Sequence, residues 1–167
     1  MRFKINVTID EAFAGEVAPG TLRAAARAAL DHECTPAPGE LTIAVTDDRA
    51  LRSLNRDYLS RDVPTDVLAF PSSEVNPETG AHYLGDIAIS CPRAQAQARQ
   101  GGHPLSAEVQ LLAVHGVLHL LGHDHARPEE KARMWAAQAE ILRHLKAPIT
   151  GPAATHRRRA RRMNKNR

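Results

Sequence analysis

The stretch HGVLHLLGHDH, residues 115–125, decides how this sequence folds, because it joins an apolar helix to a histidine cluster and a glycine. His115 and His119 are four residues apart, so on an α-helix their side chains share one face, with β-carbons about 6 Å apart. Gly122 can adopt the left-handed conformation that ends many helices. We therefore predict a helix that stops near Gly122 and a chain that turns back, bringing His125 toward the first two rings.

Three imidazoles at this spacing are typical of a metal site. His115, His119 and His125 can all reach one ion at bond lengths of about 2.1 Å. His123, on a continued helix, would lie about 12 Å along the axis from His115, which is too far. An all-imidazole set favours zinc, and three protein ligands leave a fourth position open, as in catalytic sites. We predict one Zn²⁺ held by these three histidines.

The residue after His115 argues against a peptidase. Zinc proteases with an H-E-x-x-H helix use the glutamate as general base toward the metal-bound water. Gly116 stands at that position here and has no side chain to accept a proton. We also expect Gly116 to leave open space beside the ion, into which a bulky substrate could fit.

The segments around this helix predict a mixed α+β domain. Alternating or apolar runs indicate four strands, the last two as a hairpin, and capped amphipathic runs indicate helices between and after them. We predict a single α+β domain over 1–150, with a mixed four-stranded sheet packed against helices and the metal site on a central helix followed by a glycine break. The predicted strands are 3–9, 40–46, 65–70 and 83–90; the other helices are 21–34, 49–59, 92–100 and 128–145.

The net charge of +3 conceals a basic C-terminal segment. Residues 157–167 carry seven of the 22 Lys and Arg side chains, and no Asp or Glu follows residue 150. The rest of the chain has 15 basic against 19 acidic side chains, a net of −4. We predict that 151–167 is a tail that is disordered on its own. It is either a phosphate-binding arm, since neutralised phosphates release counterions, or a solubilising terminus.

Composition predicts a cytoplasmic protein. No run approaches the roughly 18 apolar residues that span a bilayer, and the first ten residues contain no apolar core of a secretory signal. Cys34 and Cys91 lie far apart in the sequence, and we expect both to be buried thiols rather than a disulfide.

Three motifs in this order strongly resemble the YbeY family of bacterial endoribonucleases: LNRDYLSRDVPTDVLAFP (54–71), LGDIAIS (84–90) and HGVLHLLGHDH (115–125). The resemblance covers about 40–145. It implies a zinc-dependent endoribonuclease specific for single strands, acting in 16S ribosomal RNA 3′ end maturation and ribosome quality control, with ribosomal RNA and possible small-subunit proteins or assembly factors as partners. It also implies zinc ligands at His115, His119 and His125.

The sequence departs from the family pattern beside the second motif. The family usually has a functionally important arginine after the tyrosine, but Leu59 follows Tyr58 here. We expect Arg61 to supply the missing guanidinium to a phosphate. His123 replaces a common tyrosine and is expected to keep a polar ring at the cleft mouth. Asp124 either orients a ligand histidine through its second nitrogen or caps the turn.

Two other functions compete with the ribonuclease. The chain could be a non-catalytic, zinc-containing ribosome assembly factor, which Leu59 favours, or a zinc peptidase, which Gly116 disfavours. Substitution of His115 distinguishes the assembly factor from the enzyme. If the metal is structural, its loss should unfold the protein, whereas in the enzyme only cleavage should be lost.

Overall fold

The computed structural model describes residues 2–147 and 149. Four strands and five α-helices follow one another in the order that the sequence predicts. The strands are β1 (Phe3–Ile9), β2 (Gly39–Thr46), β3 (Val67–Pro71) and β4 (His82–Ser90); the helices are α1 (Pro19–His32), α2 (Asp48–Leu59), α3 (Cys91–Gly101), α4 (Leu105–Leu120) and α5 (Pro128–His144).

The sheet is mixed and has the order β1-β2-β4-β3. β1, β2 and β4 are parallel, and β3 pairs antiparallel with β4 at the edge, so the predicted fold class and hairpin are confirmed. A bulge in β4 opposite Glu40 and Leu41 contains Gly85 at φ +133°. A β-carbon there would lie 2.1 Å from the Phe70 carbonyl oxygen, so this close approach of the hairpin strands needs glycine.

α4 is the central helix of the molecule. It packs against α1, α3, α5, β3 and β4. Twelve of its residues are buried, which is why the helix is apolar on all sides rather than amphipathic. On the other face of the sheet, α2 covers a smaller cluster formed by Leu51, Leu68 and Ala88. A polar residue that projects from α4 therefore needs either a buried partner or an opening to solvent.

Helix starts agree with the sequence only in part. The Asp47 side chain caps α2 by accepting a hydrogen bond of 2.7 Å from the Ala50 N–H, and the Ser90 hydroxyl caps α3. α4 instead begins after Pro104, whose side chain has no capping atom. Cys91 is buried, but Cys34 is exposed, so the expectation that both thiols are buried is wrong for Cys34.

The C-terminal tail and the lack of a membrane span were also predicted. The predicted tail, 151–167, lies outside the described residues. Within the described part, no helix combines the length and the apolar character that crossing a membrane requires.

Candidate metal centre and cleft

Three histidine rings converge at the C-terminal end of α4. His115 is buried, His119 is half-buried and His125 is exposed, and one nitrogen from each ring lies within 4.8 Å of the others. The Nε2 atoms of His115 and His119 are 3.1 Å apart. The structure thus brings together the three residues that the sequence nominated as ligands.

The glycine break after α4 creates this arrangement. Gly122 has φ +94°, its N–H bonds to the His119 carbonyl, and the His123 N–H bonds to the Leu118 carbonyl, both at 3.0 Å. These two bonds form the Schellman motif that closes a helix through a left-handed residue. The predicted break is confirmed, and it turns the chain so that His125 faces the first two rings.

A buried amide fixes the ring of His115. Its Nδ1 lies 2.9 Å from Oε1 of Gln138, a residue of α5 with no solvent exposure. With the amide oxygen accepting, Nδ1 carries the proton, and the lone pair of Nε2 faces the other histidines. This is the arrangement by which a partner group sets the tautomer of a metal-binding histidine. The sequence analysis missed Gln138.

Trp135 also contacts the cluster. Its ring lies edge-to-face against His115 and His125, with centroids 6.0 and 5.9 Å apart. Trp135 is partly buried and packs against the core. Trp135 and Gln138 are three residues apart on α5 and hence on one face, which is the only sequence signal that could have linked them.

The local environment favours the uncharged form of His119. Burial lowers its pKa below the usual value, and the nearby ring of His125 lowers it further. A neutral imidazole is the form that binds a metal.

The geometry suits a small tetrahedral cation. Two ligands at bond lengths of about 2.1 Å and the tetrahedral angle lie about 3.4 Å apart, close to the 3.1 Å between the His115 and His119 nitrogens. The donor set is entirely imidazole, with the outer nitrogen of His115 already satisfied by Gln138. The three-histidine cluster could therefore hold a metal ion.

The cluster opens into a cleft of about 480 Å³. One wall is formed by His115, Gly116, His119 and His125, and the opposite wall by the segment from α2 to the end of β3. Arg61 lies on this wall, and Leu59 lines the cleft as well. Asn55, another residue that the sequence analysis missed, holds the loop between α2 and β3. Its side-chain amide donates to the Val63 carbonyl at 2.9 Å, and its backbone carbonyl accepts from the Arg61 N–H.

Asp124 and His123 occupy different positions from Arg61. The Asp124 carboxylate accepts a 2.7 Å hydrogen bond from the His125 backbone N–H, which corresponds to the turn-capping alternative. The Nε2 atom of His123 lies 2.7 Å from Oε2 of Glu33, at the end of α1. Neither residue is among those that line the cleft within the described part of the chain.

Gly116 has a packing role that the sequence analysis did not foresee. A β-carbon at this position would lie 2.8 Å from Cγ2 of Ile87 in β4. The expected open space is therefore wrong in the side-chain direction, where Ile87 already stands. Glycine allows α4 to approach the sheet closely, and it still contributes to the cleft wall.

Known proteins match most of this chain. The family model described as "Endoribonuclease YbeY" matches residues 6–146. Proteins named "Endoribonuclease YbeY" from Roseiflexus sp. (strain RS-1) and Chloroflexus aggregans (strain MD-66 / DSM 9485) are 41% and 40% identical over 147 and 154 residues. These matches cover 84% and 89% of this chain, and 92% and 99% of the relatives.

A solved structure supports the fold. The solution structure of a protein from Thermotoga maritima superposes with a TM-score of 0.56 at 20% sequence identity, covering 83% of this chain and 86% of the other.

Proposed function

The chain belongs to the YbeY endoribonuclease family, and from this membership we propose that it is a zinc-dependent endoribonuclease that cuts single-stranded RNA. The observation that carries the proposal is the convergence of three imidazole nitrogens, all within 4.8 Å of one another, at the wall of a cleft. We propose His115, His119 and His125 as the ligands of one Zn²⁺.

The proposed substrate is ribosomal RNA in the cytoplasm. The specific roles that we propose are maturation of the 3′ end of 16S ribosomal RNA and ribosome quality control, together with small-subunit ribosomal proteins or assembly factors. Residues 1–150 would form the catalytic domain, and the basic segment within 151–167 would bind RNA phosphates as an arm.

The residues around the cluster have distinct roles in this proposal. A bound zinc ion supplies a Lewis acid for a phosphoryl oxygen and a more acidic bound water. Gln138 holds His115 with Nε2 directed toward the other two histidines, where it would act as a ligand. Asp124 holds the backbone of His125. Arg61, which is exposed and lines the cleft, would neutralise a phosphate in this proposal, a role that Leu59 cannot take.

The cleft also supports the preference for single strands. Its wall opposite the histidines includes the loop before β3 and the edge strand itself, and its volume of about 480 Å³ is that of a small-ligand cleft. Such a space accommodates one flexible nucleotide backbone, whereas a rigid A-form duplex presents its phosphates over a much wider surface.

A cleavage assay tests the proposal directly. Purified protein should cut a single-stranded RNA and leave the matching duplex intact; chelation should abolish cleavage and added Zn²⁺ should restore it. Mapping the product ends identifies the nucleophile: a cyclic phosphate indicates the RNA 2′-hydroxyl, and a 5′-phosphate with a 3′-hydroxyl indicates water. Full-rate cleavage by metal-free protein would refute the proposal.

A non-catalytic assembly factor is the second candidate, because Leu59 stands in the cleft where the family usually has an arginine. His115→Ala separates the two functions. The enzyme predicts lost cleavage with a melting temperature near that of the metal-free parent, whereas a purely structural metal predicts loss of the fold.

A further inference from the structure

The metal centre is built from residues of a helix and of a loop. His115 and His119 project from the central helix α4, but His125 lies on the loop 121–127 between α4 and α5. His125 is exposed, while His115 is buried. The third ring therefore stays in place only as long as the loop does, and what restrains the loop matters for the whole centre.

The loop is tied to α1 by a charged hydrogen bond. His123 Nε2 lies 2.7 Å from Glu33 Oε2, between residues 90 positions apart in the chain, and each side chain is only about one-fifth exposed. The other oxygen of Glu33 lies 3.0 Å from His32 Nδ1, and His32 Nε2 lies 3.2 Å from Glu140 on α5. The Glu33 carboxylate is thus held between two imidazoles, in a network that spans α1, α5 and the loop.

This network has the geometry of a tether rather than of a second ion site. Its side chains contact one another in the order Glu140, His32, Glu33 and His123, whereas the convergent group of candidate ligands within the described residues is His115, His119 and His125. The contact does not need a charge on His123, because a neutral imidazole N–H also donates to a carboxylate. Groups that bond directly to metal ligands typically change metal affinity by about 10- to 100-fold when removed, and we expect a tether on the neighbouring loop residue to act at the lower end of this range.

We propose that Glu33 is a positioning residue for the metal-binding loop: by holding His123 it fixes the segment that presents His125, and so sets how tightly the centre retains its ion. The proposal rests on the zinc site proposed above.

Zinc affinity of the full chain, measured by competition with a chromophoric chelator, tests the tether. Glu33→Ala should weaken Zn²⁺ binding by about 10-fold and raise the dissociation rate, with the melting temperature of the metal-free protein nearly unchanged. Glu33→Gln, which keeps an acceptor oxygen, should restore most of the affinity. Glu40→Ala is the matched control, because the Glu40 side chain is equally exposed and bonded to two partners away from the site.

A double-mutant cycle separates a tether from a general structural effect. His123→Phe should weaken Zn²⁺ binding as much as Glu33→Ala, and the double variant no more than either. Additive losses, or a Glu33→Ala affinity within twofold of the parent, would overturn the proposal. If Glu33→Ala does not fold, unchanged affinity in His123→Phe overturns it. A parent protein that binds no Zn²⁺ would instead refute the metal site itself.

Discussion

Replacing Gln138 by leucine is the sharpest test of how the buried His115 is prepared for a metal. Gln138 has no solvent exposure, and its Oε1 accepts from His115 Nδ1 at 2.9 Å. Leucine fills a similar volume but leaves the imidazole N–H without that acceptor. An unsatisfied buried donor costs about 1–3 kcal/mol, and loss of such an outer partner lowers metal affinity about 10- to 100-fold, or roughly 1.4–2.7 kcal/mol.

Chelator competition measures this loss, and thermal melting with and without Zn²⁺ gives an independent reading, because the ion stabilises only the folded state that binds it. Gln138→Glu is the matched control: it keeps an oxygen toward the ring and replaces the amide nitrogen, which has no hydrogen-bond partner among the described residues. We expect affinity equal to or above that of the parent. Equal Zn²⁺ affinity for the leucine and glutamate variants would refute the reasoning.

Four other changes probe separate parts of the molecule. Gly122→Ala forces a β-carbon into φ +94°, so we expect a loss of about 1–2 kcal/mol in unfolding free energy and weaker Zn²⁺ binding; a denaturant melt equal to the parent's would contradict this. Gly116→Ala places a β-carbon 2.8 Å from a β4 side chain and should destabilise the fold by about 1–3 kcal/mol, measured in the same melts. Arg61→Ala should slow RNA cleavage by 10-fold or more, since guanidinium–phosphate contacts stabilise developing charge; Arg27→Ala, an exposed change on α1, is the control, and equal rates would remove Arg61 from the site. Deleting 157–167 should weaken RNA binding most at low salt and flatten its salt dependence; identical slopes would exclude the arm.

Local patterns predicted most of the fold. Alternation identified the strands to within one or two residues, and hydrophobic periodicity with caps identified the helices. α4 begins at Leu105 directly after Pro104, which is extended and has no capping side chain, so no cap in the sequence marks this start. Such a start is hard to predict because backbone direction at a helix start depends on the preceding packing, which a sequence window does not contain.

In the candidate site, too, features set by neighbouring residues could be predicted, and contacts between residues far apart in the sequence could not. The i, i+4 pair on α4 and the glycine break are local features, and the structure brings the three rings together as their spacing predicts. Gln138 and Glu33 were missed because they meet the histidine segment from 23 and 90 residues away. The packing of Gly116 could not be predicted either, because it depends on which side chain of the sheet stands opposite.

The dependence of the centre on α5 has a consequence for how the protein is made. A nascent chain that has just emerged as far as residue 127 already carries all three imidazoles, but not Gln138 or Trp135, which orient and cover them. During translation the centre is therefore expected to stay incomplete until α5 leaves the exit tunnel and docks. A nuclease that is assembled in this order has no complete metal centre while it is being synthesised next to the RNA of its own ribosome.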